Sequence, residues 1–314
     1  MRNVLAVDLG GTKCSAAIVD RKGRIVSQRS DSVDLSSSFG PVHQILDLAK
    51  QLAAPREPKN AFVAAAVAVP GLVRPSGTVW APNLPGWQRM PLAARLKRSL
   101  SIPVLVESDR NAAVLGECWR GTARGKFDVI VLMIGTGIGA GILSGGRIIR
   151  GAHELSGCAG WLTVTRELVP ATESIGELES LTAGPAIAEA ARQRLRDGEK
   201  GSLSELEASR ITAHEVATAA RQGDPLARDI YARAGRLLGF GVANIVSLFN
   251  PQVVVIGGGL AAAADLYLEH LRSAMFERAQ PLAARRVKLV VSKLGGAANL
   301  LGCARLAWDR SKVV

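Results

Sequence analysis

The sequence lacks several features that would assign it at once to a class of protein. No apolar run is long enough to cross a bilayer, and the start of the chain has no signal-peptide pattern. No C-x-x-C pair occurs, so neither a zinc knuckle nor a disulfide framework is indicated. The cysteines lie far apart: they are Cys14, Cys118, Cys158 and Cys303. We therefore expect reduced thiols, a cytoplasmic location and no membrane role.

Basic charge is abundant, yet no basic block interleaved with aromatic residues is present. The 314 residues carry a formal net charge of +12, with Lys and Arg scattered along the chain. This net positive charge is compatible with phosphorylated ligands, with a solvated basic surface or with nucleic acid. Composition alone does not establish nucleic-acid binding. With 48% hydrophobic and 21% charged residues, the chain has enough apolar material for a large core and two domains.

The chain begins with a strand pattern that ends in a glycine turn. Val4 to Val7 is a β-branched run followed by Asp8 and paired glycines, and Cys14 to Val19 predicts the return strand. The same pattern recurs where Val129 to Ile134 closes in a glycine-rich turn and Ala140 to Ser144 predicts another strand. Two halves that begin alike indicate two related α/β lobes facing a shared cleft.

Helical spacing of apolar residues marks other segments. It predicts helices at Asn111 to Trp119, at Pro225 to Leu248 and at Asn299 to Arg310. A strand at Gln252 to Ile256 ends in a glycine turn, after which a helix starts around Leu260.

The first glycine turn has the composition of a phosphate site. Glycine lets the backbone approach a phosphate and present its N–H groups. A hydroxyl, a cation and a carboxylate suited to Mg²⁺ surround these glycines. A plain β-hairpin is the alternative interpretation. The turn consists of Asp8, Leu9, Gly10, Gly11, Thr12 and Lys13.

Two further glycine turns also follow apolar strands. The second runs from Gly135 through Thr136 and Gly137 to Gly141, and it leads into a strand instead of opening the helix of a dinucleotide fingerprint. The third, Gly257-Gly258-Gly259, is predicted to precede a helix whose N-terminus faces a nucleotide. Three such turns favour phosphate or nucleotide binding over a structural use of glycine.

In these features the chain resembles the ROK family of repressors, open reading frames and kinases, within the actin and hexokinase superfamily. The similarity covers essentially the whole chain. Besides the three turns, it rests on the segments Ala81 to Trp87 and Glu107 to Ala113.

The resemblance implies a two-lobed, ribonuclease H-like α/β fold with a cleft between the lobes. No linker stands out in the sequence, and we place the boundary near residue 116. This gives an N-terminal lobe over residues 1–116 and a C-terminal lobe over 117–298, with a helix at 299–314 as a candidate to pack back on the first lobe. The resemblance further implies magnesium-ATP in the cleft, transfer of the terminal phosphoryl group to a sugar hydroxyl, and a homodimer.

By position, Asp109 matches the family's catalytic aspartate and Ser108 stands where asparagine is usual. A helix N-cap is the alternative role for Asp109. Asn83 matches a sugar-contacting asparagine, for which a turn residue is the alternative. Gly71 matches a glycine that lets the backbone approach the sugar, and Glu179 is the best retained carboxylate for a sugar hydroxyl.

The pattern departs from the family at one loop. Family sugar kinases carry Glu-x-Gly-His followed by zinc cysteines, whereas this chain has Cys158-Ala159-Gly160-Trp161, and 166–179 contains no cysteine. We therefore predict no zinc site. Cys158 is expected to be a small buried filler, and Trp161 either offers an apolar face to a sugar ring or packs in the core. His153 and Glu154 are weaker candidates to replace the lost pair.

The leading prediction is an ATP-dependent kinase that phosphorylates a sugar, with Asp109 as general base. The alternative is a catalytically silent sugar- or nucleotide-binding regulator. DNA binding is not expected, because the repressors carry a helix-turn-helix before the phosphate strand, which here begins at Val4. Polyphosphate in place of ATP is a weaker alternative donor.

Overall fold

Strands and helices alternate along the chain, as the sequence predicts. The computed structural model describes residues 3–165 and 175–310. In these residues the strands are β1 (Asn3–Leu9), β2 (Lys13–Val19), β3 (Ile25–Ser32), β4 (Phe62–Val69), β5 (Leu72–Val73), β6 (Val79–Trp80), β7 (Val104–Ser108), β8 (Val129–Ile134), β9 (Ile138–Ser144), β10 (Arg147–Ile148), β11 (Val253–Gly257) and β12 (Lys288–Val291).

The helices of the described residues cover the sheets and join them. They are α1 (Gly40–Ala53), α2 (Pro58–Ala61), α3 (Leu92–Leu100), α4 (Asp109–Arg120), α5 (Glu177–Thr182), α6 (Gly184–Arg196), α7 (Ala213–Arg221), α8 (Pro225–Phe249), α9 (Ala264–Arg278), α10 (Pro281–Arg286) and α11 (Ala297–Arg310). Not one of these helices combines the length and the apolar character needed to span a bilayer.

Two five-stranded sheets of similar topology organise the molecule. The first has the order β3-β2-β1-β4-β7 and the second β10-β9-β8-β11-β12, while β5 and β6 form a separate hairpin. In each large sheet an antiparallel hairpin, β1/β2 or β8/β9, continues into parallel strands. The two halves therefore not only begin alike but also build the same kind of sheet.

Strand β4 illustrates how the first sheet is covered on both faces. Ala65, Val67 and Val69 pack with α1 and α3, whereas Ala66 and Ala68 on the opposite face pack with α11. Period-two alternation sends successive side chains to opposite faces. A strand buried on both faces is accordingly apolar throughout.

Helices α4 and α11 meet almost backbone to backbone. A Cβ added at Gly302 would lie 1.7 Å from the carbonyl oxygen of Ala112, and one added at Gly116 would lie 2.1 Å from that of Ala298. Helix α4 also contacts strands of both sheets. The α4–α11 contact therefore fixes where α4 begins.

The domain limits drawn from the sequence stay predictions. Residue 116 lies inside α4, which contacts both sheets, so this helix belongs to the junction between them. Helix α11 begins two residues before the predicted start at 299 and contacts β1, β2 and β4. Residues 311–314 of the predicted last helix lie outside the described residues.

A helix begins near Leu260 as predicted, but its first turn is not α-helical. The third glycine turn leads into a 3₁₀ helix, Gly259–Ala263, and α9 begins only at Ala264. The small residues of this stretch support the tighter helix as well as an α-helix. The N-terminal field of α9 therefore does not start at the glycine turn.

Candidate functional site

The first glycine turn joins β1 to β2, and Asp8 is the second-to-last residue of β1. Gly10 N–H donates to the Lys13 carbonyl at 2.8 Å, which closes the turn, while Gly11, Thr12 and Lys13 are exposed. The Asp8 carboxylate accepts a hydrogen bond from the Asn299 side-chain amide at 3.0 Å. The predicted carboxylate, hydroxyl and cation thus lie on one turn.

Burial raises the pKa of Asp8 to about 6. The Asn299 hydrogen bond opposes this rise, the negative charge of Asp109 adds to it, and the charge of Lys13 opposes it. The effect of Asp109 shows that the two carboxylates are electrostatic neighbours, although they are about a hundred residues apart in the sequence. A doubly charged carboxylate pair with poor solvation attracts a cation.

Asp109 is the first residue of α4, and Ser108 is the N-cap. The interpretation of Asp109 as the N-cap is therefore wrong. One carboxylate oxygen of Asp109 accepts from the Arg110 backbone N–H at 2.7 Å. Burial raises the pKa of Asp109, and the bond to Arg110 opposes the rise. A raised pKa makes the carboxylate a better proton acceptor.

The second and third glycine turns lie side by side because β8 and β11 are parallel neighbours. A Cβ added at Gly135 would lie 3.7 Å from the Gly259 nitrogen. Gly258 has φ +83°, and a Cβ there would lie 2.4 Å from the Ile134 carbonyl oxygen, so only glycine fits. Two of the three predicted phosphate turns are thus brought together.

Glu179 lies against the second turn. Its Oε2 accepts from the Ile138 backbone N–H at 2.7 Å. A Cβ added at Gly137 would lie 3.0 Å from this oxygen, and one at Gly160 would lie 2.8 Å from it. Glu179 therefore connects the turn to the altered loop, and a hydrogen bond to sugar would be an additional role.

The altered loop is more open than the sequence suggests. Cys158 is exposed, and its thiol donates to the Leu155 carbonyl at 3.1 Å. The expectation of a buried filler is therefore wrong. Trp161 is 55% exposed, which also rejects core packing for this side chain and leaves its ring available to a ligand. His153 is exposed, whereas the Glu154 side chain lies near Arg150.

Asn83 projects from a compact loop. Ala81 N–H donates to the Trp87 carbonyl at 2.8 Å, and the buried Trp87 indole donates to the Ser38 carbonyl at 2.8 Å. Asn83 itself is exposed. Gly71 has φ +94°, and a Cβ there would lie 2.2 Å from the Trp80 carbonyl oxygen. This close approach within the chain explains the glycine without a ligand.

Unpaired polar atoms mark the region around the two aspartates. Buried side-chain atoms nearly always have a hydrogen-bond partner. Within the described residues, the side-chain nitrogen and oxygen atoms that are buried without one all belong to residues beside Asp109 or bonded to Asp8. They are Ser108 Oγ, Arg110 Nε, Asn111 Oδ1 and Asn299 Oδ1.

Sequence reasoning missed Arg110, Asn111 and Asn299 as members of this region. Arg110 and Asn111 follow Asp109 in the sequence, and their polar side chains at the start of a helix were a signal that could have identified them. Asn299 had no such signal, because its partner Asp8 is 291 residues away.

A model of the ROK family matches residues 4–310. The chain belongs to the ROK family. It is 31% identical over 324 residues to a glucokinase of Streptomyces coelicolor, with 99% of each chain covered. It is also 30% identical to a xylose repressor of Caldicellulosiruptor bescii, covering 96% of this chain and 77% of the repressor.

Solved structures agree with this assignment to the ROK family. A ROK family glucokinase from Streptomyces griseus, in complex with glucose and AMPPNP, matches with a TM-score of 0.83 and 30% identity over 98% of this chain and 99% of that one. The predicted two-lobed, hexokinase-like fold is confirmed.

The residues present suit magnesium-ATP better than zinc. Oxygen ligands and phosphates are what Mg²⁺ prefers, and Asp8 with Asp109 supplies carboxylates beside a glycine turn. Among residues 3–165 and 175–310, no three His, Cys, Asp or Glu side chains are grouped as a metal site. The absence of zinc remains a prediction.

Replacing Asp8 by Asn should stabilise the metal-free protein above about pH 6. The pKa of Asp8 is near 4 in the unfolded chain and about 6 in the folded protein. The wild type thus loses stability as pH rises from 4 to 6, and Asp8→Asn avoids a cost of about 3 kcal/mol.

Chemical unfolding in EDTA at pH 4 and pH 7.5 measures this difference. The variant should gain stability relative to wild type only at the higher pH, whereas the control Asp31→Asn, at an exposed position in β3, should show no such gain. Equal stability of Asp8→Asn and wild type at pH 7.5 would disprove the raised pKa.

Proposed function

We propose that this chain transfers the terminal phosphoryl group of ATP to a hydroxyl of a sugar, the 6-hydroxyl of a hexose or amino sugar. The observation that carries the proposal is the concentration of unpaired buried polar atoms around Asp8 and Asp109. Such atoms are costly unless a ligand satisfies them. A hydroxyl-rich ligand provides both donors and acceptors for them.

Asp109 is the general base in this proposal. Its raised pKa and its position at the start of α4 support proton transfer from the attacking hydroxyl. The backbone N–H groups of the glycine turns orient the phosphates, together with Thr12 and Lys13. Magnesium-ATP, when bound, supplies the phosphoryl group and neutralises its developing charge. Positioning provides the rest of the acceleration.

Sugar recognition is assigned to side chains on both sides of the cleft. Asn83 offers an amide, Ser108 a buried hydroxyl without a partner, and Glu179 a carboxylate. The exposed ring of Trp161 stacks on an apolar face of the sugar. Because the usual Glu and His are absent, we expect selectivity to differ from that of glucose-specific relatives.

The relatives support the class of reaction and leave one competitor. A glucokinase and the complex with glucose and AMPPNP favour kinase activity. The similarity to a xylose repressor favours a silent sugar-binding regulator. The presence of Asp109 together with all three phosphate turns supports the kinase. The homodimer predicted for this chain belongs to the same proposal.

A screen for ADP release across hexoses, amino sugars, N-acetylated sugars and polyols tests the proposal. At least one sugar should raise ADP release by about 100-fold or more over the sugar-free rate, because the bound hydroxyl is positioned for phosphoryl transfer. EDTA should abolish the activity, and a chelator selective for zinc should not. Tight binding of ATP and sugar without ADP release from any compound would instead establish the silent regulator.

A further inference from the structure

A buried carboxylate, Glu107, holds the backbone on either side of Asp109. Glu107 lies near the end of β7 and is 7% exposed. Its Oε1 accepts hydrogen bonds from the Ser108 backbone N–H at 3.0 Å and from the Asn111 side-chain amide at 2.9 Å. Because these two residues flank Asp109, the Glu107 carboxylate fixes the path of the chain at the start of α4.

The countercharge of Glu107 comes from the other sheet. Arg150, two residues after β10, donates through Nη2 to Glu107 Oε2. Arg150 Nε lies 3.8 Å from an oxygen of the Glu154 carboxylate. Strand β7 is an edge strand of the first sheet and β10 is an edge strand of the second. The ion pair therefore ties the two sheets together directly beside Asp109.

A second contact runs alongside this ion pair. Arg110 Nη2 donates to the Glu154 carbonyl oxygen at 3.2 Å. Glu154 has φ +61°, a conformation that a residue with a side chain adopts only where its surroundings hold it. Arg110 thus binds the backbone of Glu154, and Arg150 lies near its carboxylate.

The segment that receives these contacts leads directly to the altered loop. Ser156 N–H donates to the Arg150 carbonyl at 3.0 Å, which closes residues 150–156 into a loop. Ala140 N–H of β9 donates to the Gly157 carbonyl at 2.7 Å. Cys158 is the next residue after Gly157. A displacement of 150–157 therefore displaces Cys158 and Trp161 as well.

The energetics of a buried ion pair make the two partners unequal in a mutational test. Removing Arg150 leaves a buried carboxylate without its countercharge, which is strongly unfavourable. Removing the charge of Glu107 leaves an arginine that is 40% exposed and reaches water. The double replacement removes the uncompensated charge altogether, so it should lower the stability of the protein less than the loss of Arg150 alone.

We propose that Arg150 and Glu107 are positioning residues of the phosphoryl-transfer site, whose ion pair holds the altered loop in register with Asp109. This inference rests on the proposed function, because it concerns the same site. Neither residue touches the reacting atoms. Glu107 acts through Ser108 and Asn111, and Arg150 acts through Glu107 and Glu154.

Steady-state kinetics of Arg150→Met, Arg150→Lys, Glu107→Gln and the double variant Glu107→Gln/Arg150→Met test the inference. Arg150→Met should lower kcat about 30-fold, since a misplacement near 1 Å costs up to about 100-fold. The KM for ATP should stay within about twofold, because the side-chain contacts of the ion pair run to Ser108, Asn111 and Glu154 and not to the glycine turns. Arg150→Lys and the double variant should each recover part of the lost kcat.

The matched control is Arg147→Met, an exposed arginine on β10, which should keep the wild-type kcat. A merely structural ion pair would lower the melting temperature of Arg150→Met and leave its kcat unchanged at 25 °C. That result would overturn the inference. So would a double variant with the wild-type kcat, because the altered loop would then stay in register without the ion pair.

Amide hydrogen exchange separates this inference from the proposed function. Arg150→Met should speed exchange in residues 108–111 as well as in 150–157, because the ion pair couples both segments. Faster exchange in 150–157 alone would overturn the inference even in an active kinase. Faster exchange in both segments of a protein that phosphorylates no sugar would refute the proposed function. It would still support the physical link between residues 108–111 and 150–157.

Discussion

Replacing Asp109 by Asn should lower the phosphoryl-transfer rate about 10³-fold and leave the affinity for ATP nearly unchanged. The loss of a general base costs roughly 10² to 10⁴ in rate. Asparagine keeps an oxygen that accepts the Arg110 N–H bond at 2.7 Å, so the start of α4 retains its shape. Only the capacity to take a proton disappears.

Single-turnover measurement of sugar phosphate, with ATP binding by calorimetry, checks this result. The control Asp47→Asn removes an exposed carboxylate on α1 and should keep the wild-type rate. A transfer rate for Asp109→Asn within about tenfold of wild type would reject Asp109 as the base. A parallel loss of ATP affinity would assign Asp109 to nucleotide binding instead.

Introducing a methyl group at Gly302 should destabilise the protein by about 3 kcal/mol, at the upper end of overpacking effects. The added Cβ would lie 1.7 Å from the carbonyl oxygen of Ala112, a backbone atom that cannot rotate away. Helices α4 and α11 must separate to admit it. Because Asp109 begins α4, the change should also slow phosphoryl transfer at temperatures where the variant stays folded.

Thermal unfolding of Gly302→Ala, with kinetics at 20 °C, tests the close contact of the two helices. The melting temperature should fall by roughly 5–10 °C. Gly296→Ala is a matched control, because a Cβ at Gly296 meets no atom within 4 Å, and its stability should change by less than about 0.5 kcal/mol. A melting temperature of Gly302→Ala equal to that of the control would show that α4 and α11 pack differently.

Local patterns in the sequence were sufficient to predict much of the fold. The run from Pro225 to Leu248 carries helical spacing, and α8 spans Pro225–Phe249. The glycine turns after β1, β8 and β11 were predicted from the apolar strands before them. A helix was predicted from about Leu260, but not that its first turn, Gly259–Ala263, is a 3₁₀ helix. The apolar residues 260–264 suit either helix type, and only tertiary packing selects between them.

The candidate site was only partly accessible to sequence reasoning. Asp8 was identified from the glycine turn that follows it, and Asp109 from its match to the family's catalytic aspartate. The partnerships of Asn299 with Asp8 and of Arg150 with Glu107 join residues 291 and 43 positions apart, and no local periodicity encodes such pairs. They depend on the α4–α11 contact and on the meeting of two sheet edges.

Exposure of the altered loop was also beyond the sequence. The loss of Glu and His at Cys158 and Trp161 is visible in the sequence. Burial was predicted for Cys158, because free cysteine usually packs as a hydrophobe, whereas sugar contact and core packing stayed open for Trp161. Nothing in the sequence of this loop states which way it faces. The structure leaves both side chains exposed, so a large aromatic ring is accessible beside Glu179.

The most direct test of the kinase assignment is phosphorus NMR of the wild-type protein with Mg²⁺, ATP and the most active sugar of the screen. If the chain is a sugar kinase, the γ-phosphate signal of ATP should decline while a phosphomonoester signal of the sugar grows in equal amount, and Asp109→Asn should show neither change over the same period. Release of inorganic phosphate without a sugar phosphomonoester, or equal product from Asp109→Asn, would contradict it.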